Sequence, residues 1–279
     1  MQQTLESIGW RLARALILIS GIVLIIGPMF LVMINTLKTQ QEAALNFFGL
    51  PTSFNLDNYR SLLTNHLYWV HLRTSVIITV ASIICVVVLV PAASYAIVRN
   101  FEKKYYKFVF FFLLMGLFIP AQVIILPVVM RMSSLNMMTP TGLIMLYATF
   151  SLTQGVFLFS NYLRSLPTEI EESARVDGCS VLQTFIHVVL HLTKPIIATL
   201  IVINALWFWN DFMLPLLILN RARDMWTLPI FQFNFRTEYS FNYTMAFTAY
   251  TMSMLPMLIV YCLAQKYIIK GLTAGAIKG

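Results

Sequence analysis

Charge is scarce in this sequence. Only 11% of its 279 residues are Asp, Glu, Lys or Arg, against about 25% in soluble domains. With 59% hydrophobic residues and a mean hydropathy of +0.78, a chain of this size cannot be wetted over its whole surface. A fully soluble globule is excluded, and lipid is the expected solvent over much of it. Cysteine is scarce as well: three are present. Cys85 and Cys262 fall in apolar runs and Cys179 in a polar segment, so neither a disulfide framework nor a metal-type spacing is expected. There is no G-x-x-x-x-G-K-[ST] phosphate loop, no H-E-x-x-H, no G-x-S-x-G and no pair of carboxylates within one apolar run. The chain is therefore read as not an enzyme and as binding no cofactor and no metal of its own. Tandem repeats, low-complexity tracts and a soluble domain are also missing.

What is present is a series of long runs without charge. Residues 15–37, 74–98, 108–130, 133–163 and 239–265 contain none, and 195–219 contains one, Asp211. A helix needs roughly 20 apolar residues to cross a bilayer, and lipid obliges each span to satisfy its own backbone. The fold class expected is an all-α membrane protein with about six transmembrane helices. A β-barrel would need alternating strands of about ten residues, and these runs do not alternate. Arg11 and Arg14 precede the first run as in a signal peptide. That run is too long, however, and Gly27-Pro28 leads into further apolar residues, so a permanent anchor is expected.

Lysine and arginine set the orientation. With a cytoplasmic N-terminus, twelve of the 19 fall on the inside, including Arg99, Lys103, Lys104, Lys107 and Arg164. Both termini are expected in the cytoplasm. The net charge of +8 is a topology signal, and no continuous basic face suggests nucleic acid.

The inner segment at about 164–194 differs from the other loops. Thr168 with Glu171 three residues on reads as a capping box, and Glu169, Glu171 and Glu172 crowd a first helical turn, where the dipole favours acid. Gly178 is suited to a left-handed helix end. Ser180 with Gln183 opens a second helix. There Leu182, Phe185, Ile186, Val189 and Leu190 form an apolar stripe opposite Gln183, His187, His191 and Lys194, as in a helix lying along a membrane surface.

The run Glu172-Ser173-Ala174-Arg-Val-Asp177-Gly178, preceded by Pro167 and followed by Leu190 and Pro195, resembles the EAA loop of ATP-binding-cassette importer permeases. The usual pattern is Glu-Ala-Ala, three residues, then Gly, with a later Leu-Pro. Ser173 replaces the first Ala, and His191 stands where Pro follows Leu. Pro51-Thr-Ser-Phe-Asn-Leu-Asp-Asn58-Tyr59, Ile119-Pro120-Ala121, Leu126-Pro127, Trp209-Asn210-Asp211-Phe212, Leu214-Pro215-Leu216 and the tail from Lys270 to Gly279 look like the carbohydrate branch of that family, and within it the maltose-type second permease subunit.

The resemblance implies one transmembrane permease domain over 1–279, with a cytoplasmic coupling-helix loop at about 164–194 and a cytoplasmic tail at about 266–279. It implies a binding-protein-dependent importer that translocates a sugar, an oligosaccharide by its branch, into the cytoplasm across a bacterial or archaeal plasma membrane. The implied partners are a second, non-identical permease subunit, a dimer of ATPase subunits holding ATP and Mg2+, and an extracytoplasmic sugar-binding protein. Glu172, Ser173, Ala174, Asp177 and Gly178 would meet the ATPases, with Gly275 and Lys278 of the tail.

Other residues carry two readings each. Asp211, the one charge deep in an apolar run, either caps its helix and pairs with Arg221 or Arg223, or with Asn210 bonds sugar hydroxyls. Trp207, Phe208, Trp209 and Trp226 either form an interfacial belt or stack on a sugar ring. His187 and His191 have a spacing that suits a metal, but no third ligand joins them, and a solvated face is expected. An ion-coupled secondary transporter would need several intramembrane ionisable groups and internal repeats, and only Asp211 is available. The serious rival is the same importer class with a polyamine or peptide as cargo. An acidic pathway would suit a cation, whereas the single acid here suits a neutral solute.

Overall fold

The computed structural model describes residues 2–219, 221–233, 235 and 242–274, and the described residues are helical with no strand. In chain order the helices are α1 (Gln2–Thr36), α2 (Gln40–Leu45), α3 (Asp57–Thr64), α4 (His66–Arg99), α5 (Lys104–Met115), α6 (Ala121–Ser134), α7 (Pro140–Arg164) and α8 (Glu169–Val176). They continue as α9 (Val181–Leu192), α10 (Lys194–Asn210), α11 (Met213–Ile218), α12 (Leu228–Phe233) and α13 (Tyr243–Ala274). Four helices are long and apolar enough to cross a bilayer, and six if each of two bent pairs is one span.

The helices depart from the uninterrupted runs expected over 108–130 and 195–219. α5 passes through a 3₁₀ turn at Gly116–Phe118 and turns by 107° into α6. Pro120, which has no N–H to donate, sits at the bend with extended backbone. The fifth run ends at Asn210 rather than Leu219, because Asp211 leaves the helix with extended backbone. α10 has 17 residues and spans only about 25 Å, less than the roughly 30 Å of hydrocarbon. α4, with 34 residues, is about 50 Å long and begins eight residues before the expected start at Thr74. It is longer than the roughly 30 Å of hydrocarbon. Pro28, Pro91, Pro127 and Pro256 lie inside continuous helices.

The chain forms two compact units, one of Met1–Tyr68 with Gln232–Met254, the other of Trp69–Phe231 with Leu255–Gly279. In the first, Lys38 is fully buried, and its ammonium donates to the carbonyls of Asn46, Phe47 and Gly49 at 2.7, 3.2 and 2.6 Å. Asn58 donates to Thr36 O and Lys38 O, both at 2.8 Å, and Tyr59 Oη lies 2.8 Å from Thr36 Oγ1. A buried ammonium needs full hydrogen bonding. The segment from Pro51 to Tyr59 thus has a structural task, to clamp the end of α1.

In the second unit, α7 lies at the centre. Leu143, Tyr147, Phe159 and Leu163 share a core with Val86 and Val90 of α4, Leu200 and Phe208 of α10, and Ile218 of α11. A Cβ on Gly155 would lie 2.8 Å from Val90 Cγ2, so α4 and α7 meet where a side chain is missing. Ser151 Oγ donates to Asn204 Oδ1 at 2.7 Å, and Asn204 Nδ2 to Leu200 O at 2.8 Å, which satisfies a polar pair buried between α7 and α10.

Candidate functional site

α8 and α9 form the expected elbow. Gly178 adopts φ +87°. Cys179 N donates to Ala174 O at 2.9 Å and Gly178 N to Arg175 O at 3.0 Å. These two bonds close a Schellman motif, which needs a left-handed residue at Gly178. Two residues later Ser180 and Gln183 form their reciprocal box, with Ser180 N donating to Gln183 Oε1 at 2.8 Å and Gln183 N to Ser180 Oγ at 3.3 Å. The elbow is therefore defined by hydrogen bonds on both sides of one glycine.

Thr168 differs from its expected role. It has helical backbone and makes no side-chain cap. Its intended partner, Glu171, is buried and turned the other way. Arg99 Nε donates to Glu171 Oε1 at 3.0 Å and Oε2 at 3.2 Å, Arg99 Nη2 also donates to Oε1, and Tyr95 Oη donates to Oε2 at 3.1 Å. A fork of charge-assisted bonds outweighs one neutral cap bond. Glu171 thereby fastens the root of α8 to the last turn of α4. Phe185 of α9 adds a ring 5.0 Å from that of Tyr95.

The apolar stripe of α9 is also redistributed. Thr184–Val189 is a π-helix, in which residues five apart share a face. Thr184 and Val189 are buried, while Leu182 and Ile186 are exposed. Of the expected stripe, Val189 packs into the protein while Leu182 and Ile186 stay open on its outside. α9 then meets α10 at 73°. His187 and His191 are exposed, and Lys194 donates to His191 Nε2 at 3.1 Å.

The rest of α8 faces solvent. Glu172, Ser173, Asp177 and Gly178 are exposed, Ala174 is half-buried, and Val176 is 88% exposed. Nothing lies within 4 Å of a Cβ on Gly178. The structure thus gathers all five predicted residues on one short helix and its C-terminal turn, open on the outside and tied at its base. Such a helix can pass a push or pull to α4 through Glu171, and to α10 through α9. Gly275 and Lys278 lie outside the described residues.

The second group is less convergent. Trp209 is buried, Asn210 is exposed with its amide donating to Leu206 O at 2.7 Å, and Asp211 is half-buried. Asp211 does cap the break between α10 and α11, since Met213 N donates to Oδ1 at 3.1 Å. Its other oxygen accepts from Tyr147 Oη at 2.9 Å, and neither Arg221 nor Arg223 pairs with it. Phe208 stacks on Tyr147 at 4.5 Å and Trp207 meets it edge-on at 5.7 Å. Trp226 stacks on His71, which takes its backbone carbonyl at 3.1 Å. Four residues were not predicted in these roles: Tyr95, Arg99, Glu171 as a tether, and Tyr147. Tyrosines and an arginine at span ends are ordinary belt and topology residues in sequence, so only their partners reveal them.

An integral membrane transport component is the class that these helices and this exposed elbow define. The chain belongs to the family described as binding-protein-dependent transport system inner membrane component, which matches residues 89–274. It is 38% identical to the multiple sugar-binding transport system permease protein MsmG of Streptococcus mutans, over 98% of this chain and 99% of that protein. It is 32% identical to the arabinooligosaccharides transport system permease protein AraQ of Halalkalibacterium halodurans, over 82% of this chain and 81% of that one. Its fold matches a chain of a bacterial ABC transporter involved in the import of the acidic polysaccharide alginate. The TM-score is 0.80 at 20% identity, over 92% of this chain and 96% of that chain.

Proposed function

We propose that this chain is the membrane-spanning permease subunit of an ATP-driven, binding-protein-dependent carbohydrate importer, and that it carries an oligosaccharide into the cytoplasm. The observation that carries the reading is α8, exposed along its acidic and small-residue face while Glu171 roots it on α4. In a chain of this family such a helix is the contact through which separate ATPase subunits, holding ATP and Mg2+, act on the membrane helices. Nucleotide favours the closed ATPase dimer. That preference biases the permease between inward- and outward-facing states only through a stiff contact whose energy differs between them. Glu172, Ser173, Ala174, Asp177 and Gly178 are the docking residues, and Gly275 and Lys278 of the tail lie against the same partner. The whole chain acts as one permease domain of a bacterial or archaeal plasma membrane, with both termini and the elbow in the cytoplasm. It pairs with a second, non-identical permease and receives cargo from an extracytoplasmic binding protein. Sugar as cargo is supported by the relatives, which are named as sugar and oligosaccharide transport permeases. Asn210 and Asp211, with Trp209 buried beside them, line the proposed pathway.

The test is uptake and ATP hydrolysis by the assembled complex in proteoliposomes, with oligosaccharides, a polyamine and a peptide as cargo. The complex is expected to take up an oligosaccharide. The Glu172→Arg/Asp177→Arg variant is expected to assemble and hydrolyse ATP while uptake falls to background. Uptake at the unmodified rate by that assembled variant would overturn the docking role, and uptake of polyamine or peptide alone would overturn the cargo.

A further inference from the structure

Four cations gather where α4 turns into α5 and α7 ends: Lys103, Lys104, Lys107 and Arg164, all exposed. The ion pair of Arg99 with Glu171 is the only one among the described residues, so none of these four has a described carboxylate within ion-pair distance. Aromatic faces hold three of them instead. The Arg164 guanidinium lies 4.3 Å from the centre of the Phe101 ring and 5.1 Å from that of Phe110. Lys107 Nζ lies 5.9 Å from the same Phe101 ring, and Lys103 Nζ 6.0 Å from that of Tyr106 while donating to Asn100 Oδ1 at 2.9 Å. Two cations therefore converge on one ring although like charges repel. Glu102 is the single acid in the turn. Such an arrangement is stable when an anion sits among the cations, and α5 adds the positive end of its dipole there.

The surface next to these cations is apolar. Along α5, Phe108 and Phe112 are exposed and stack at 6.1 Å, with Phe111 and Met115 exposed beside them. A ligand that fills both regions has a phosphate at one end and hydrocarbon at the other. We propose that the α4–α5 turn and the end of α7 bind the phosphodiester headgroup of an anionic phospholipid, whose acyl chains lie along Phe108 and Phe112. A free phosphate shares the anionic chemistry but has nothing to place on the aromatic stripe. The inference is independent of the cargo and of the ATPase contact.

The test is native mass spectrometry of the full-length protein released from detergent containing equal amounts of phosphatidylglycerol and phosphatidylcholine. The wild type is expected to retain phosphatidylglycerol preferentially. In the Lys103→Gln/Lys104→Gln/Lys107→Gln variant the preference is expected to fall roughly tenfold or more, as each basic residue near a surface contributes separately. The corresponding triple Lys→Arg variant and Arg60→Gln, an exposed cation on α3, should keep it. Arg164→Gln gives a single-site version that leaves the turn intact should the triple variant fold poorly. An unchanged preference in both Gln variants would overturn the proposal. So would displacement of the lipid by inorganic phosphate, which would identify a free-anion site. Loss of a co-purified ATPase subunit with lipid retention intact would identify a protein contact and overturn it equally.

Discussion

Glu171→Gln tests whether α8 is driven through α4. The side chains of Glu171 and Arg99 are 6% and 16% exposed. Neutralising Glu171 leaves a nearly buried guanidinium with amide oxygen in place of a counter-charge. Breaking a buried pair from one side costs about 3–5 kcal/mol. The residual access of water to Arg99 places the expected loss near the lower end, about 3 kcal/mol. Removing both charges, in Arg99→Met/Glu171→Met, removes the desolvation penalty too, and stability should return to within about 1 kcal/mol of wild type. Function should not return, because α8 has lost its tether. The assays are equilibrium unfolding in mixed micelles for Glu171→Gln and for the cycle of wild type, Arg99→Met, Glu171→Met and the double variant, and uptake against ATP hydrolysis in the assembled complex. The double variant is expected to be stable, active as an ATPase and deficient in uptake. Losses that add to within about 0.5 kcal/mol would show that Arg99 and Glu171 do not act as a unit. Normal uptake by the double variant would show that no force passes through them.

Further outcomes follow from the same geometry. Gly178→Ala meets no neighbour, so its penalty is conformational, about 1 kcal/mol, and Gly178→Asn should lose less because Asn tolerates a left-handed backbone. Equal unfolding midpoints for Gly, Ala and Asn would contradict a left-handed backbone at Gly178. Gly155→Ala should destabilise by about 1–3 kcal/mol through overpacking against Val90, and Val90→Ala should restore much of the loss when combined with it. The Glu42 carboxyl is held below its ordinary range chiefly because it accepts the Thr52 N–H. Its folded pKa is depressed, so the order it lends the 39–56 loop is present above the ordinary carboxyl pKa and is lost as pH falls through the lowered value. Proteolytic nicking of this loop should accelerate with acidification, and Glu42→Gln should remove that dependence.

The membrane spans were legible in sequence because lipid leaves a backbone one solution: six long apolar runs, five of them free of charge, had to become helices. The bend at Gly116 to Pro120 was not legible, since a window of hydropathy weighs those residues as apolar while the backbone responds to a missing N–H. Gly178 and the Ser180–Gln183 box were legible because each is a contract between residues a few positions apart. Thr168 misled for the complementary reason. The local pattern offered Glu171 one partner, and a stronger one waited on α4, 72 positions away. The π-turn in α9 was not legible, because five-residue hydrogen bonding leaves no mark in the spacing of its apolar residues.

Short-range physics, the cost of an unsatisfied amide in hydrocarbon and the conformational freedom of one glycine, is written in neighbouring residues. It settled the helical membrane class, the elbow and its exposed acidic helix. Long-range choices are different, because each polar or charged side chain takes the best partner within reach after the helices have met. Only the assembled fold decided that Glu171 goes to Arg99, that Asp211 goes to Tyr147 rather than to an arginine, and that Trp209 turns inward while Asn210 stays open. Burial in a medium that cannot solvate them makes those pairings strong, and no spacing in the chain announces them.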